Sequence, residues 1–139
     1  MARFLVVDDD QPTVEAMTKL LRDDGHEVVA HTSGADAVAT LATERFDAVI
    51  SDLEMPVVDG RKVAKAVRNL SPEACVVLTT THRPRDNNEH ACVMVEKPID
   101  YEALTGAITH CRAHGGYHGT RCNRCSPDHG AALSQLGRR

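Results

Sequence analysis

The chain has 139 residues, of which 42% are hydrophobic, so it is the size of one domain with a buried core. Its net charge is −4 and only 3% of its residues are aromatic, which predicts a mainly aliphatic core. No apolar run approaches the roughly 18 residues of a membrane span, and the short apolar run near the start leads directly into acids, unlike a signal peptide. We therefore expect a cytoplasmic protein without a membrane partner, whose cysteines are thiols or metal ligands rather than disulfides.

Charge divides the chain into two parts. Residues 1–109 contain 11 Lys and Arg against 19 Asp and Glu, whereas residues 110–139 contain five Arg and a single acid, Asp128. Cysteine and histidine are concentrated in the same final segment, at Cys111, Cys122, Cys125, His110, His114, His118 and His129. We predict a folded domain over residues 1–113 and a basic, His/Cys-rich tail over residues 114–139.

The first half of the domain alternates apolar runs with amphipathic stretches. Residues 4–7 form an apolar run that ends in acids, which is typical of a strand buried on both faces. A helix is predicted next, with Asp10 as its N-cap and Gly25 at its end. Its apolar stripe is Val14, Met17, Leu20 and Leu21. Residues 27–31 favour a second strand, and Ser33 can cap a second helix. The apolar side of that helix is Ala37, Val38 and Leu41.

The second half continues the alternation. Residues 48–50 predict a third strand that leads to Asp52, and the loop after it leads into a third helix. The stripe of the third helix is Val63, Val67 and Leu70. Residues 75–78 and 92–95 favour two more strands. The last helix is marked by Tyr101, Leu104, Ile108 and Cys111.

One segment lacks the pattern of its neighbours. Residues 81–90, between the fourth and fifth strands, contain no large apolar side chain and include a proline. Such a segment cannot bury a helical face. We predict a loop or at most a single turn there, so the fourth helix of the alternation is short or missing.

Five strands alternating with helices predict an α/β fold with a doubly wound parallel sheet. Right-handed crossovers place the carboxyl ends of all the strands at one edge of such a sheet. Ligands of open parallel sheets bind at that edge. The polar residues that the pattern brings there are Asp8, Asp9, Asp52, Thr79 and Lys97.

These side chains suit one kind of chemistry. Neighbouring carboxylates repel one another unless a cation joins them, and hard oxygen ligands with room for water suit Mg²⁺. A lysine adds a positive charge, and a threonine supplies a hydroxyl. Together these groups meet the needs of phosphoryl transfer to a carboxylate, in which positive charge offsets the charge on the phosphoryl oxygens.

The same motifs resemble those of the receiver domains of bacterial two-component response regulators, over about residues 2–113. They are LVVDDD at residues 5–10, DLEMPVVDG at residues 52–60, Leu78-Thr79 and Lys97-Pro98. The resemblance implies a flavodoxin-like fold with strand order 2-1-3-4-5. It also implies that Asp52 is the phosphoacceptor and that Mg²⁺ binds Asp8, Asp9, Asp52 and the backbone carbonyl of Glu54. Thr79 and Lys97 would then contact the phosphoryl group, and Pro98 would hold the Lys97 loop, often through a cis peptide bond.

By the same resemblance, the phosphoryl group comes from a sensor histidine kinase or a histidine phosphotransfer protein, and the signal passes to a downstream protein target. The chain would catalyse only its own phosphorylation and dephosphorylation, so it is not a conventional enzyme. The tail is too short for a DNA-binding or catalytic output domain, which favours a stand-alone receiver.

Two other functions compete with this interpretation. A receiver-like interaction scaffold that no longer uses phosphate is favoured by Met94, where Tyr or Phe is common in the family, and by the missing fourth helix. The complete set of Asp8, Asp9, Asp52, Thr79 and Lys97 argues against it. The family also usually has a small residue at the position of Thr80. A phosphatase of the haloacid dehalogenase type would also use a strand-end Asp and Mg²⁺. Its DxDxT motif is not met, because residues 8–12 read DDDQP.

The tail offers zinc-like spacing of soft and borderline ligands. Cys111, His114, Cys122 and Cys125 form two pairs, each with two intervening residues, and could hold a structural Zn²⁺. The alternative is a flexible basic tail in which these residues are incidental. Its arginines lack interleaved aromatic residues, so nucleic acid is not an expected partner.

Overall fold

The computed structural model describes residues 2–81, 91 and 93–113. The strands within these ranges are β1 (Arg3–Val7), β2 (Glu27–His31), β3 (Ala48–Asp52), β4 (Cys75–Thr80) and β5 (Val93–Glu96). The helices are α1 (Gln11–Asp23), α2 (Gly34–Leu41), α3 (Gly60–Leu70) and α4 (Tyr101–Ala113). Residues 82–90 and 114–139 lie outside the described residues. The absence of a regular helix over most of 81–90 therefore stays a prediction.

The strands form one parallel sheet in the order β2-β1-β3-β4-β5, which confirms the predicted topology. Every residue of β3 and β4 is buried, as expected for central strands covered on both faces. Helices α1 and α4 cover one face and enclose the first core cluster, whereas α2 and α3 cover the other and enclose the second core cluster. The sheet therefore separates two aliphatic cores.

Side-chain caps fix where the helices begin. The Asp10 carboxylate accepts a hydrogen bond from the Thr13 N–H at 3.2 Å, and the Asp59 carboxylate accepts one from the Lys62 N–H at 3.1 Å. Ser33 caps α2 in the same way, at 3.4 Å from the Asp36 nitrogen. Two of these caps, Asp10 and Asp59, start helices directly after the loops that follow β1 and β3. The caps therefore help to define the edge of the sheet where the strand-end acids lie.

Two residues of the predicted helical stripes are not in the core. Leu20 is 43% exposed and Leu70 is 38% exposed, so both predictions of burial were wrong. Leu20 lies directly before the fully buried Leu21, so it is at the side of the buried face of α1, and Leu70 is the last residue of α3. No helix in the described part of the chain combines the length and the apolar character needed to cross a membrane.

Candidate functional site

Three buried polar side chains meet at the carboxyl edge of the sheet because of strand alternation. Side chains two residues apart in a strand point to the same face. Val6, Ile50 and Val77 pack in the first core cluster, and the residues two positions further along are Asp8, Asp52 and Thr79. These three polar residues are 3%, 7% and 2% exposed, respectively. Asp52 and Thr79 are also register partners across β3 and β4.

Asp9 adds a third carboxylate from the solvent side. The side chains of Asp8, Asp9 and Asp52 each offer an oxygen, and these oxygens lie within 4.8 Å of one another. Asp9 is exposed whereas the other two are buried. Mg²⁺ binds through a few carboxylates and keeps several waters. A donor set of carboxylate oxygens that is open to solvent on one side fits this cation.

Lys97 supplies the positive charge next to these acids. Its Nζ donates a hydrogen bond to Asp8 Oδ2 at 2.9 Å and lies 3.5 Å from Asp52 Oδ1. Its backbone N–H donates to the Thr80 carbonyl at 2.7 Å, and the Lys97–Pro98 peptide bond is cis, as the resemblance implies. Burial lowers the pKa of Lys97, but the hydrogen bond to Asp8 and the attraction of both acids outweigh it, so the pKa is raised. Lys97 is therefore held as a cation.

The environment of Asp52 disfavours its charge. Burial, followed by repulsion from Asp8, raises the pKa of Asp52 from 3.8 to about 6. Lys97 and a hydrogen bond from the backbone N–H of Glu54 act in the opposite direction. A cation that joined the carboxylates would relieve the repulsion between them. A bound cation would therefore stabilise the charged form of Asp52, which burial and the neighbouring Asp8 disfavour.

The loop between β3 and α3 holds the Asp52 backbone in place. The Leu53 N–H donates to the Thr79 carbonyl at 2.8 Å, and the Gly60 N–H donates to the Leu53 carbonyl at 2.9 Å. A Cβ atom at Gly60 would lie 2.5 Å from the Asp52 carbonyl oxygen, so this approach requires glycine. Gly60, the last residue of the DLEMPVVDG motif, thus packs directly against the backbone of Asp52.

The structure brings together the side chains of four strand-end residues that the sequence singled out: Asp8, Asp9, Asp52 and Lys97. Thr79 lies beside Asp52 by register. Glu54 contacts Asp52 through its backbone N–H, while its carboxylate accepts a hydrogen bond from the Thr80 hydroxyl at 3.1 Å. Sequence reasoning missed this last contact, although it noted Thr80 as unusual.

The zinc prediction gains no support. Cys111 is 1% exposed and packs in the first core cluster, because it lies on the face of α4 that covers the sheet. The other three residues of that set, His114, Cys122 and Cys125, lie outside the described residues. Their role as zinc ligands is untested.

Comparison with known proteins agrees with the site. The sequence profile of the response regulator receiver domain matches residues 4–109. This chain belongs to the response regulator receiver family. A receiver protein from Anaeromyxobacter sp. strain Fw109-5 is 35% identical over 91 residues, covering 66% of this chain and 38% of that protein. Protein PilH of Pseudomonas aeruginosa is 31% identical over 118 residues, covering 78% of this chain and 95% of PilH.

Solved receiver structures share the fold. The response regulator TrrA from Thermotoga maritima, determined in complex with Mg(2+)-BeF, has a TM-score of 0.72 and 28% identity, covering 78% of this chain and 97% of TrrA. A CheY-like receiver domain from Methanospirillum hungatei has a TM-score of 0.77 at 21% identity, covering 83% of this chain and 96% of that one. Several curated relatives are longer than the shared domain, since the chain spans only 38% of the Anaeromyxobacter protein and 25% of GlrR from Escherichia coli.

Proposed function

We propose that this receiver accepts a phosphoryl group on Asp52 in a Mg²⁺-dependent reaction. The observation that carries the proposal is the position of Asp52, buried at a strand end between Asp8, Asp9 and the ammonium of Lys97. The donor would be the phosphohistidine of a sensor histidine kinase or a histidine phosphotransfer protein. The signal would pass onward through contacts with a downstream protein target.

Each side chain has a role in this proposal. An oxygen of Asp52 forms a bond to phosphorus while the bond between phosphorus and the donor nitrogen breaks. Lys97 pairs with a phosphoryl oxygen, and the Thr79 hydroxyl donates a hydrogen bond to another. Asp8, Asp9, Asp52 and the carbonyl of Glu54 would hold Mg²⁺. The cation offsets negative charge on the phosphoryl oxygens.

We also propose the domain boundary at residue 113, because residues 114–139 form a compositionally distinct tail that is basic and rich in His and Cys. The family profile ends four residues earlier, at residue 109. The proposed phosphorylation chemistry does not involve the tail, because its residues all lie between Asp8 and Lys97.

Radiolabelled phosphoramidate, a small phosphodonor, tests the chemistry of the proposal. Label should enter the purified chain with Mg²⁺ and not with EDTA, and hydroxylamine should release it, because an acyl phosphate is sensitive to this nucleophile. Label that enters equally with EDTA, or that resists hydroxylamine, would contradict an aspartyl phosphate. A chain that takes up no label under conditions that modify another receiver would favour the phosphorylation-independent scaffold.

A further inference from the structure

Thr80 contacts two of the segments that build the acidic site. Its hydroxyl donates a hydrogen bond to Glu54 Oε1 at 3.1 Å. Its carbonyl accepts a hydrogen bond from the Lys97 N–H at 2.7 Å. One residue at the end of β4 therefore connects the loop after Asp52 to the backbone of the lysine that pairs with Asp8 and Asp52.

The side chain of Thr80 reaches Glu54 because of its place in the strand. Successive side chains in β4 point to opposite faces of the sheet. Thr79 follows Val77 on the face of the first core cluster, whereas Thr80 follows Leu78 on the face of the second. Thr80 is only 1% exposed, so its hydroxyl needs a partner within the protein. The small residue that is usual here in the family would leave Glu54 without this donor.

The Glu54 backbone in turn contacts the phosphoacceptor. The backbone N–H of Glu54 lies close enough to the Asp52 carboxylate to lower the pKa of Asp52, so it favours the charged form. A residue whose side chain is tethered has less freedom to rotate its peptide group. Glu54 is exposed, and within the described part of the chain its carboxylate is held by the Thr80 hydroxyl.

We propose that Thr80 is a positioning residue for the phosphorylation site. By holding the Glu54 carboxylate, its hydroxyl fixes the Glu54 backbone, so that the N–H faces Asp52 and the carbonyl faces the proposed Mg²⁺ position. This inference rests on the proposed function, because it gives the Glu54 carbonyl a role in binding Mg²⁺.

The first test compares three side chains at one position. Thr80→Val keeps the branched shape and removes the hydroxyl, whereas Thr80→Ser keeps the hydroxyl and removes a methyl group. Calorimetric titration with Mg²⁺ should give a dissociation constant about three- to tenfold higher for Thr80→Val, the range expected for the net loss of one typical intramolecular hydrogen bond. Thr80→Ser should stay near wild type. Equal binding by all three proteins would overturn the inference, as would an equal loss in both variants.

A double-mutant cycle shows whether the effect passes through Glu54. Glu54→Ala removes the carboxylate and keeps the backbone N–H and carbonyl. If Thr80 acts by holding Glu54, Thr80→Val should cause no further loss of Mg²⁺ affinity in the Glu54→Ala background. Losses that simply add would overturn the inference. Thermal unfolding of each variant identifies any that fails to fold. If Thr80→Val is one of them, the Mg²⁺ affinity of Thr80→Ser is compared with that of wild type instead.

A metal-free measurement separates this inference from the proposed function. Without Mg²⁺, the amide proton of Glu54 should exchange with solvent faster in Thr80→Val than in wild type or Thr80→Ser. Unchanged exchange would overturn the positioning role even if Asp52 is phosphorylated. If the Glu54 amide exchanges faster in Thr80→Val but the wild-type protein takes up no phosphate, the positioning role of Thr80 is supported and the proposed phosphorylation is overturned.

Discussion

Lys97 Nζ donates a hydrogen bond to Asp8 Oδ2 at 2.9 Å, although 89 residues separate the two along the chain. Asp8 is only 3% exposed, and Lys97 is the cation that the fold places beside it. The same carboxylate is a proposed Mg²⁺ ligand. Under the proposed function, a bound Mg²⁺ would take over the balance of this charge from Lys97, and the ammonium would then be available to a phosphoryl group.

Lys97→Met should separate these two roles. The variant keeps an unbranched side chain and removes the charge, so Mg²⁺ should bind about fivefold more tightly, as expected from about 1 kcal/mol of relieved repulsion between nearby charges. Phosphorylation by a small donor should nevertheless slow on the order of 10²-fold, because a charge-stabilising donor is lost. Titration calorimetry and the kinetics of phosphate uptake measure the two effects. Lys19→Met, on the exposed side of α1, is the control and should change neither.

The raised pKa of Asp52 makes stability depend on pH in the metal-free protein. With a pKa of about 6 in the fold and 3.8 as its ordinary value, Asp52 holds its proton more tightly in the folded state than in the unfolded state. The folded state therefore loses stability as the pH rises from about 4 to about 6. Asp52→Asn removes this loss, so in EDTA it should be more stable than wild type at about pH 7.5 and equal to it below about pH 4.

Thermal unfolding across that pH range checks this expectation. Glu73→Gln, an exposed substitution outside the site, should follow wild type throughout. An Asp52→Asn advantage that stays constant from about pH 4 to about pH 7.5 would mean that the charge of Asp52 is not its cause.

Gly60→Ala adds only one methyl group, but it should clearly destabilise the protein around the site. A new Cβ would lie 2.5 Å from the Asp52 carbonyl oxygen and 2.7 Å from the Leu53 Cα, both of them backbone atoms that cannot move freely. We expect a loss of about 1–3 kcal/mol in the free energy of unfolding, with weaker Mg²⁺ binding. Gly106→Ala in α4 is a matched control, since within the described residues nothing outside the surrounding helix backbone lies within 4 Å of its Cβ position. Denaturant unfolding should show it to be about 0.5–1 kcal/mol more stable than wild type.

Asp9→Ala should weaken metal binding without unfolding the protein. Asp9 is exposed, so removing its carboxylate leaves the core intact, yet it takes away one of the three clustered oxygen donors. Titration calorimetry should show most of the Mg²⁺ affinity lost, with a melting temperature close to wild type in EDTA. Mg²⁺ binding equal to wild type would place the metal elsewhere.

Much of the fold and of the acidic site could be predicted because both follow from local pattern. The apolar runs that end at Asp8 and Asp52 identify central strands, and parallel strands bring their carboxyl ends together whatever the sequence between them. The predicted burial was wrong at Leu20 and Leu70, because periodicity identifies the apolar face of a helix but not how much of that face is buried.

The contact between Thr80 and Glu54 could not be predicted in the same way. It joins residues 26 positions apart, and neither residue type is unusual for its place, since Glu54 is exposed and Thr80 lies in a strand. Two successive threonines at the end of a strand were the only sign that one of them faces the second side of the sheet. Pairing of that kind depends on the register of β3 and β4, which the sequence pattern leaves open.

The central claim is that Asp52 accepts the phosphoryl group, and intact mass spectrometry tests it most directly. Wild type, Asp52→Asn and the control Asp59→Asn should each be incubated with Mg²⁺ and acetyl phosphate. We predict a single added phosphoryl group on wild type and on Asp59→Asn, and none on Asp52→Asn. Equal modification of Asp52→Asn, or none of wild type under conditions that modify another receiver, would contradict the account.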